Sequence, residues 1–287
     1  MNRRRNIKQL DTKNVKKKKR HSNRILLYIA LILVAVLVFV VLSLTVFFKV
    51  ENIQVSGSSQ YDAQQIIDIS GIEQGQNLIL TSEDKAESLI TKNLPYISSV
   101  TLKKKLPSTV TIVVEKAVPW VQVDQDNGYF LLDENLKVLE IRKKQMKNVP
   151  IIRGVTKHGK INNSAGETIK IVNDFKCLRL NMLKEIFDEA EAEGIDKITV
   201  IQIENVEDIN ITYDDKIVLQ CGSSDNLDLK MKYAKRILAE KEHGGQSGIL
   251  NLSRIPSEKQ QAYFTACDLT EDQVSYSKES NGKKTDK

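Results

Sequence analysis

Residues 25–48 form an unbroken apolar stretch that contains no formal charge, proline or glycine. A helix that rises about 1.5 Å per residue would be roughly 36 Å long over this stretch, enough to cross a hydrocarbon core about 30 Å thick. A helix also satisfies its own backbone hydrogen bonds in lipid. Helices buried in a soluble core rarely run this long without a polar face. The stretch therefore predicts a transmembrane helix.

The charges on either side of this stretch predict its orientation. Residues 1–24 hold eleven lysine and arginine residues and one acid, Asp11, whereas only Lys49 and then Glu51 follow the stretch closely. Basic flanks stay in the cytoplasm, so residues 49–287 are expected outside, as in a single-pass type II protein. The stretch exceeds the roughly 7–15 apolar residues of a cleaved signal peptide and lacks its small-residue cleavage site, which favours a retained anchor.

The basic tail also accounts for the sequence pI of about 9.0, because the rest of the chain holds 32 basic and 36 acidic residues. The run at 16–20 is one that nucleic-acid-binding segments also use. However, it borders the membrane and has no aromatic residues between its charges on which bases could stack. Attraction to anionic lipid headgroups explains the run without a nucleic-acid partner.

Residues 49–117 predict a compact β-α-α-β-β unit, in which two helices cover one face of a three-stranded sheet. The first strand begins at the membrane surface, with Ile53 and Val55 alternating with polar residues, and 56–59 end it. Helices are predicted at about 62–69 and after a Thr81-x-x-Asp84 capping box. The last two strands carry Val100, Leu102, Val110, Ile112 and Val114, and residues 103–108 form the polar turn between them.

This order resembles a POTRA domain, specifically that of the FtsQ/DivIB cell-division proteins, which directly follows a single N-terminal transmembrane helix. The chain departs from the family at Ser58, where Asn is frequent, and at 81–82, where Asp is common; both are turn or cap positions. The positions that carry the resemblance are Gly57, Gly75, Asn77, Leu78, Pro95, Leu106 and Pro107, with Glu115-x-x-x-Pro119-Trp120 at the exit.

Residues 118–267 predict a mixed, mainly antiparallel β domain, which makes the fold class α+β. A hairpin at 128–139 turns at 133–135, where Asn135 replaces the glycine of the family, and a strand follows at 149–154. One helix carries Phe175, Leu178, Met182, Ile186 and Ala190, and the other carries Leu227, Met231, Ala234 and Leu238. Three alternating strands carry Ile198, Val200, Ile209, Ile211, Tyr213, Ile217 and Leu219. Residues 248–252 are predicted as the last strand, and 268–287 as a disordered tail.

Nothing in the sequence predicts catalysis, a cofactor or a metal site. His21 lies in the tail, His158 in a polar turn and His243 beside two glycines, and neither a Gly-x-Ser-x-Gly nor an HExxH motif is present. The pair at 214–215 is interpreted as a solvated turn, although a Ser-His-Asp arrangement from distant segments stays open. The three cysteines, Cys177, Cys221 and Cys267, form no CxxC pair and are interpreted as small buried hydrophobes, with at most one disulfide.

Recognition through a sheet edge is the remaining function, because an exposed edge must be protected or used to add a partner's strand. The resemblance implies partners like FtsB/DivIC and FtsL, which are small coiled-coil division proteins bound through the distal β domain. The hypothesis assigns this contact to Gly248, Ile249, Leu250, Asn251 and Leu252. The lysines at 103–105 are interpreted as a solvated hairpin tip, rather than a site for acidic partners or teichoic-type polymers.

The sequence thus predicts a bitopic membrane scaffold of the division septum that recruits septal peptidoglycan-synthesis machinery. Its segments are a cytoplasmic tail (1–24), a transmembrane helix (25–48), a POTRA domain (49–117), a β domain (118–267) and a tail (268–287). Two other functions stay open. One is a POTRA-bearing anchored protein for spore-envelope assembly or protein export, and the other is an anchored extracellular hydrolase.

Overall fold

The computed structural model describes residues 22–125, 128–155, 163–169, 178–242, 245–255 and 262–275. It begins with a long helix, α1 (Ser22–Phe47), whose segment Arg24–Leu42 is long and apolar enough to cross a membrane. None of this segment is buried against the rest of the chain, which excludes the alternative of a helix inside a soluble core. The predicted apolar helix is confirmed.

A membrane-proximal domain follows, and it has the predicted β-α-α-β-β order. Its three-stranded sheet has β3 in the centre, parallel to β1 and antiparallel to β2, and both helices pack on one face. Residues such as Ile66, Ala86, Ile90, Val110 and Ile112 form the core between the two layers. The elements are β1 (Asn52–Gly57), α2 (Ala63–Ser70), α3 (Glu83–Asn93), β2 (Ile97–Lys105) and β3 (Thr109–Lys116).

Two local predictions in this domain are wrong. The residue that caps α3 is Ser82, whose hydroxyl accepts a hydrogen bond from the Lys85 amide at 3.3 Å. Thr81 lies one residue before this cap, and its hydroxyl donates to the carbonyl of Asn77 in the preceding loop at 3.1 Å. The lysines at 103–105 belong to β2 rather than to a turn, because the turn needs only 106–108, with a cis peptide bond before Pro107.

A distal domain contains a nine-stranded sheet in the order β12-β11-β10-β9-β8-β7-β4-β5-β6. Neighbouring strands are parallel at β10–β11, β7–β8 and β4–β7 and antiparallel at the other pairs, so the predicted mixed, mainly antiparallel sheet is confirmed. The strands are β4 (Val121–Gln125), β5 (Gly128–Leu132), β6 (Val138–Arg142), β7 (Ile151–Arg153), β8 (Ile198–Asn205), β9 (Asp208–Tyr213), β10 (Ile217–Gly222), β11 (Gly248–Asn251) and β12 (Tyr263–Ala266).

The two remaining helices, α4 (Leu178–Ala192) and α5 (Leu227–Glu242), pack on one face of this sheet. Phe175 lies outside the described residues. The predicted residues that the helices bury against the sheet are Met182, Ile186, Ala190, Leu227, Met231, Ala234 and Leu238. Ile209, Ile211 and Leu219 face the helices, so alternation along the strands directs Thr212 and Val218 to the opposite face. The main core of the protein therefore lies between the sheet and its two helices.

The hairpin between β5 and β6 turns differently from the prediction. Leu136, not Asn135, takes the left-handed backbone conformation, with φ of 60°. The buried carboxylate of Asp133 organises the turn because its Oδ1 accepts hydrogen bonds from the amides of Asn135 (3.0 Å) and Lys137 (2.9 Å). These two hydrogen bonds to one carboxylate oxygen determine the shape of the loop, and the residue type at position 135 matters less.

The two domains are joined by direct contacts around the start of β2. The ammonium of Lys137 donates to the carbonyl of Ile97, and the side chain of Tyr96 is hydrogen-bonded to the Glu140 carboxylate. A Cβ added at Gly166 would lie 1.9 Å from the Lys92 carbonyl oxygen, so the backbones touch there. These contacts define a junction that holds the distal domain against the membrane-proximal one.

Burial perturbs the ionisable groups of this junction. Burial raises the pKa of Tyr96 to about 12, and the nearby Glu140 carboxylate adds to the effect. Lys137 is 8% exposed, and burial lowers the pKa of its ammonium group, although the Asp133 carboxylate 4.0 Å away opposes the change. Asp133 Oδ2 has no hydrogen-bond partner among the described residues, so Lys137 supplies its nearest described compensating charge.

We predict that Gly57→Ala destabilises the protein much more than Gly75→Ala. Both glycines have positive φ (105° and 86°). A Cβ added at Gly57 would lie 2.0 Å from the Val114 carbonyl oxygen, whereas a Cβ added at Gly75 would have no atom within 4 Å. Backbone strain alone should cost about 1–2 kcal/mol, and strain plus a clash about 3 kcal/mol or more. Urea unfolding of the full chain in detergent, followed by far-UV circular dichroism, measures both; equal losses would contradict the proposed clash.

We also predict that Lys137→Met lowers the free energy of unfolding by about 2–4 kcal/mol, because it removes a bond between the domains and leaves a buried carboxylate without its partner. Urea unfolding followed by the fluorescence of the single tryptophan, Trp120, measures the change. Lys144→Met is the matched control, since Lys144 is exposed and should change stability by less than about 0.5 kcal/mol. A Lys137 variant as stable as this control would show that the junction contributes little.

Candidate functional site

One edge strand of the nine-stranded sheet, β6, is covered by another segment of the chain, and the other edge strand, β12, is not covered by any described segment. At one end the segment 164–169 covers β6: the amide of Val138 donates to the Glu167 carbonyl at 2.9 Å, and the amide of Gly166 donates to the Val138 carbonyl at 2.8 Å. At the other end is β12, and no strand from the described part of the chain pairs with its outer side. The open end of the sheet is therefore β12.

The pairing of β12 with β11 shows which backbone groups face outward. The two strands are antiparallel, with Ala266 opposite Gly248, and the amide of Cys267 donates to the carbonyl of Ser247 at 3.2 Å. Backbone amides alternate in direction along a strand, so the amide of Ala266, one residue earlier, is directed away from β11. Ala266 therefore offers a hydrogen-bond donor at the edge.

The side chains of β12 combine anchoring with exposure. Phe264 is partly buried against the core of the distal domain, which holds the strand on the sheet. Tyr263 is 55% exposed, and Thr265 and Ala266 are exposed as well. A strand added beside β12 would thus meet backbone groups flanked by an aromatic side chain.

The segment predicted to bind a partner lies one strand further in. Gly248, Ile249, Leu250 and Asn251 form β11, which is paired with β10 on one side and β12 on the other, so the prediction that it is the last strand is wrong. Leu250 and the following Leu252 are buried. Sequence reasoning missed β12 because only one of its residues, Phe264, is partly buried, so the strand shows no apolar alternation.

The residues at the two ends of β11 have structural roles. A Cβ at Gly248 would lie 2.3 Å from the Thr265 carbonyl oxygen, so only glycine allows β11 and β12 to approach there. At the other end, Asn251 Oδ1 accepts hydrogen bonds from the amide (3.1 Å) and hydroxyl (2.8 Å) of Ser253, which fixes the turn after β11. A direct contact of residues 248–252 with a partner stays a prediction.

The chain does not become disordered at residue 268, contrary to the prediction. Residues 268–275, here called the C-terminal strap, return to the sheet on the face opposite α4 and α5. The Thr212 hydroxyl donates to the Gln273 carbonyl at 2.6 Å, and the amide of Ser275 donates to Asp215 Oδ1 at 2.8 Å. The guanidinium of Arg153 donates to the carbonyls of Glu271 and Val274. Composition did not reveal the strap because several of these bonds use its backbone carbonyls; 276–287 lie outside the described residues.

The strap also changes the interpretation of Asp215. The pair at 214–215 does form the β9–β10 turn, with φ of 49° and 52°, but the Asp215 carboxylate binds both the amide and the hydroxyl of Ser275. Both groups line a cleft of about 330 Å³. The three histidines lie outside the described residues, so among the parts that the structure describes no imidazole accompanies this serine and aspartate.

The cysteines in the described part of the chain carry free thiols. Cys221 is buried in β10, as predicted, and burial raises the pKa of its thiol to about 12 despite the nearby Lys230 ammonium. Cys267 is half-buried at the end of β12, and Cys177 lies outside the described residues. Among the residues described, no three His, Cys, Asp or Glu side chains are grouped so as to hold a metal ion.

The motif positions of the membrane-proximal domain lie at its two poles rather than in one site. Gly57, at the end of β1, and Pro95, just before β2, lie at the pole next to the distal domain. The other pole lies beside the end of α1, where the amide of Leu78 donates to the Phe48 carbonyl at 2.8 Å. The positions at this pole are Gly75, Asn77, Leu78, Leu106 and Pro107. These residues shape turns and loops.

Comparisons with known proteins agree with this architecture. The family described as POTRA domain, FtsQ-type, matches residues 48–116, and the family described as Cell division protein FtsQ/DivIB, C-terminal, matches residues 121–256. These ranges coincide with the membrane-proximal domain and with most of the distal domain.

Three curated relatives cover most of both chains. Cell division protein DivIB of Clostridium botulinum strain Hall is 30% identical over 234 residues, which are 79% of this chain and 85% of the relative. DivIB of Clostridium tetani is 27% identical over 72% of this chain and 77% of the relative. FtsQ of Corynebacterium glutamicum is 26% identical over 62% of this chain and 73% of the relative. With its apolar N-terminal helix, FtsQ-type POTRA domain and matching C-terminal domain, the chain belongs to the FtsQ/DivIB family of cell-division proteins.

Proposed function

We propose that this protein is a bitopic scaffold of the division septum, with its N-terminus in the cytoplasm and both folded domains outside. It recruits and stabilises the partners that synthesise septal peptidoglycan and performs no chemistry itself. Support for the orientation comes from the eleven basic residues before α1. Support for the septum comes from the relatives, which are named cell-division proteins.

The observation that carries the recruiting role is the open edge at β12. One end of the sheet is covered by 164–169, and one face is covered by α4 and α5, whereas β12 directs the Ala266 amide outward. An extended segment of a partner can add a tenth strand there, because main-chain hydrogen bonds supply affinity and flanking side chains supply selectivity. The proposed partners are coiled-coil division proteins of the FtsB/DivIC and FtsL kinds.

Septal localisation separates this proposal from spore-envelope or export functions. A fluorescent fusion of the full chain is expected to form a ring at mid-cell in dividing cells, because a septal scaffold must assemble where the wall is built. Fluorescence microscopy of growing cells measures the distribution. A uniform peripheral signal through the cell cycle would contradict the septal role and favour the alternatives.

We predict that Ala266→Pro weakens binding of the coiled-coil partners at least about tenfold, because proline removes the outward amide donor and its ring obstructs an added strand. The bond from Cys267 to Ser247 does not involve the Ala266 amide, so the β11–β12 pairing should survive. Titration of the full chain with the co-purified FtsB/DivIC-like and FtsL-like pair, followed by fluorescence anisotropy, measures the dissociation constant.

Ala266→Val is the matched control, since it keeps the amide and adds a side chain that favours strands. It should bind as the unaltered chain does. Thermal unfolding of both variants checks that the distal domain is folded. A folded Ala266→Pro variant with unchanged affinity would remove strand addition at β12 from the proposal.

A further inference from the structure

The membrane-proximal domain exposes large apolar side chains next to the end of α1. Leu80 is 80% exposed, Leu106 is 61% exposed and Ile79 is 45% exposed. They are the large apolar side chains that this domain leaves exposed among its described residues. Isolated exposed hydrophobics are ordinary, but a group of three at one pole of a small domain indicates a contact surface.

Backbone pairing places Ile79 and Leu80 on the membrane side of the domain. Lys49 and Asn77 form an antiparallel bridge, and the amide of Leu78 donates to the Phe48 carbonyl at 2.8 Å. Residues 48–50 run away from α1, so the antiparallel segment 76–78 runs towards it. Residues 78–80 then form a turn, in which Asn77 Oδ1 accepts hydrogen bonds from the amides of Ile79 (2.9 Å) and Leu80 (3.2 Å), so both residues stay at the pole beside the end of the helix.

The register of the sheet places Leu106 at the same level. Thr109 at the start of β3 lies opposite Asn52 at the start of β1, and the two strands are parallel. The Ser108 carbonyl accepts hydrogen bonds from the amides of Glu51 (2.9 Å) and Asn52 (3.2 Å). Leu106, two residues before Ser108, therefore lies on the α1 side of the domain.

Basic side chains surround these apolar ones. Lys49, Lys103 and Lys105 are exposed, and the ammonium of Lys104 donates to the carbonyls of Ile79 (3.0 Å) and Thr81 (2.7 Å), which holds the apolar loop in place. The acids near this pole are Glu51, Glu73 and, in the first turn of α3, Glu83 and Asp84; with Lys85 the pole holds five lysines and four acids, an excess of one positive charge. Apolar side chains bordered by lysines are the pattern of a segment that lies in the headgroup region of an anionic bilayer.

We propose that this pole, formed by residues 49–51, 73–81 and 103–108, rests on the surface of the bilayer that α1 crosses. Ile79, Leu80 and Leu106 enter the headgroup region, and the exposed lysines bind the phosphates of anionic lipids. The inference rests on the membrane-spanning role of α1 that the proposed function includes. The contact gives the membrane-proximal domain a second attachment to lipid, which restricts its tilt about the end of the helix.

Depth-dependent fluorescence quenching tests the contact in the full chain. An environment-sensitive fluorophore is attached to Leu80→Cys in a chain that also carries Cys177→Ser and Cys267→Ser; the buried Cys221, with its thiol pKa of about 12, should stay unlabelled. The chain is placed in nanodiscs of phosphatidylglycerol and phosphatidylcholine with a nitroxide near the headgroups. Segments at interfaces lie about 5–10 Å deep, so roughly half the emission at position 80 should be quenched.

Two matched labels make the result interpretable. Ser58 is exposed at the opposite pole of the same domain, so a fluorophore attached to Ser58→Cys should keep nearly all its emission. Val36→Cys lies within α1 and should be quenched when the nitroxide is moved to the acyl chains. Quenching at 36 but not at 80 would overturn the lipid contact and leave the anchor intact. Absence of quenching at 36 would overturn the anchor as well.

Lipid charge provides an independent test of the lysines. Raising the phosphatidylglycerol content should increase quenching at position 80, and the double change Lys103→Glu and Lys105→Glu should abolish that increase. Quenching that ignores lipid charge would overturn the role of the lysines. A label at 80 that responds only when the coiled-coil partners are added would identify a protein contact instead and overturn the proposal.

Discussion

The α1 helix joins the membrane-proximal domain without a flexible linker, and the placement of both folded domains depends on this connection. The helix ends at Phe47, and the backbone of the next residue, Phe48, already accepts a hydrogen bond from Leu78. Val50 is bonded as well, since its amide donates to Gln76 and its carbonyl accepts from Gly75. The apolar helix is thus bonded to the loop 75–78 of the membrane-proximal domain within three residues of its end, and β1 begins two residues later, at Asn52. At the junction, the contacts of Lys137 and Tyr96 then hold the distal domain against the membrane-proximal domain.

Much of the fold could be predicted from the sequence because the strongest patterns are local. The length of the apolar stretch at 25–48, the alternation in the strands and the stripes of α4 and α5 each follow from the burial of one face. What could not be predicted depends on contacts between distant residues. The strap at 268–275, for example, depends on groups in β7, β9 and the β9–β10 turn.

The candidate site shows the same division. The segment 248–252 was predicted as the last strand because it has a clear apolar pattern and 263–266 does not; the edge strand is β12, and partner binding by 248–252 stays a prediction. The clear pattern marks the better-buried strand: Leu250 and Leu252 are in the core, whereas β12 contributes only partly buried Phe264. Apolar alternation reports burial, and an edge strand that binds a partner keeps one side unpaired. A search for apolar alternation therefore finds β11, the buried neighbour of the edge strand.

The strap has a consequence for how β12 meets a partner. The strand is tied to β11 along its length, and the chain that leaves it is fixed to the sheet at Thr212 and Asp215. Its backbone is thus ordered before any complex forms. Ordering of a flexible strand costs conformational entropy that would otherwise subtract from the affinity of the complex. For the proposed strand addition at β12, this entropy would already be lost during folding, and the added segment would meet a template set in advance.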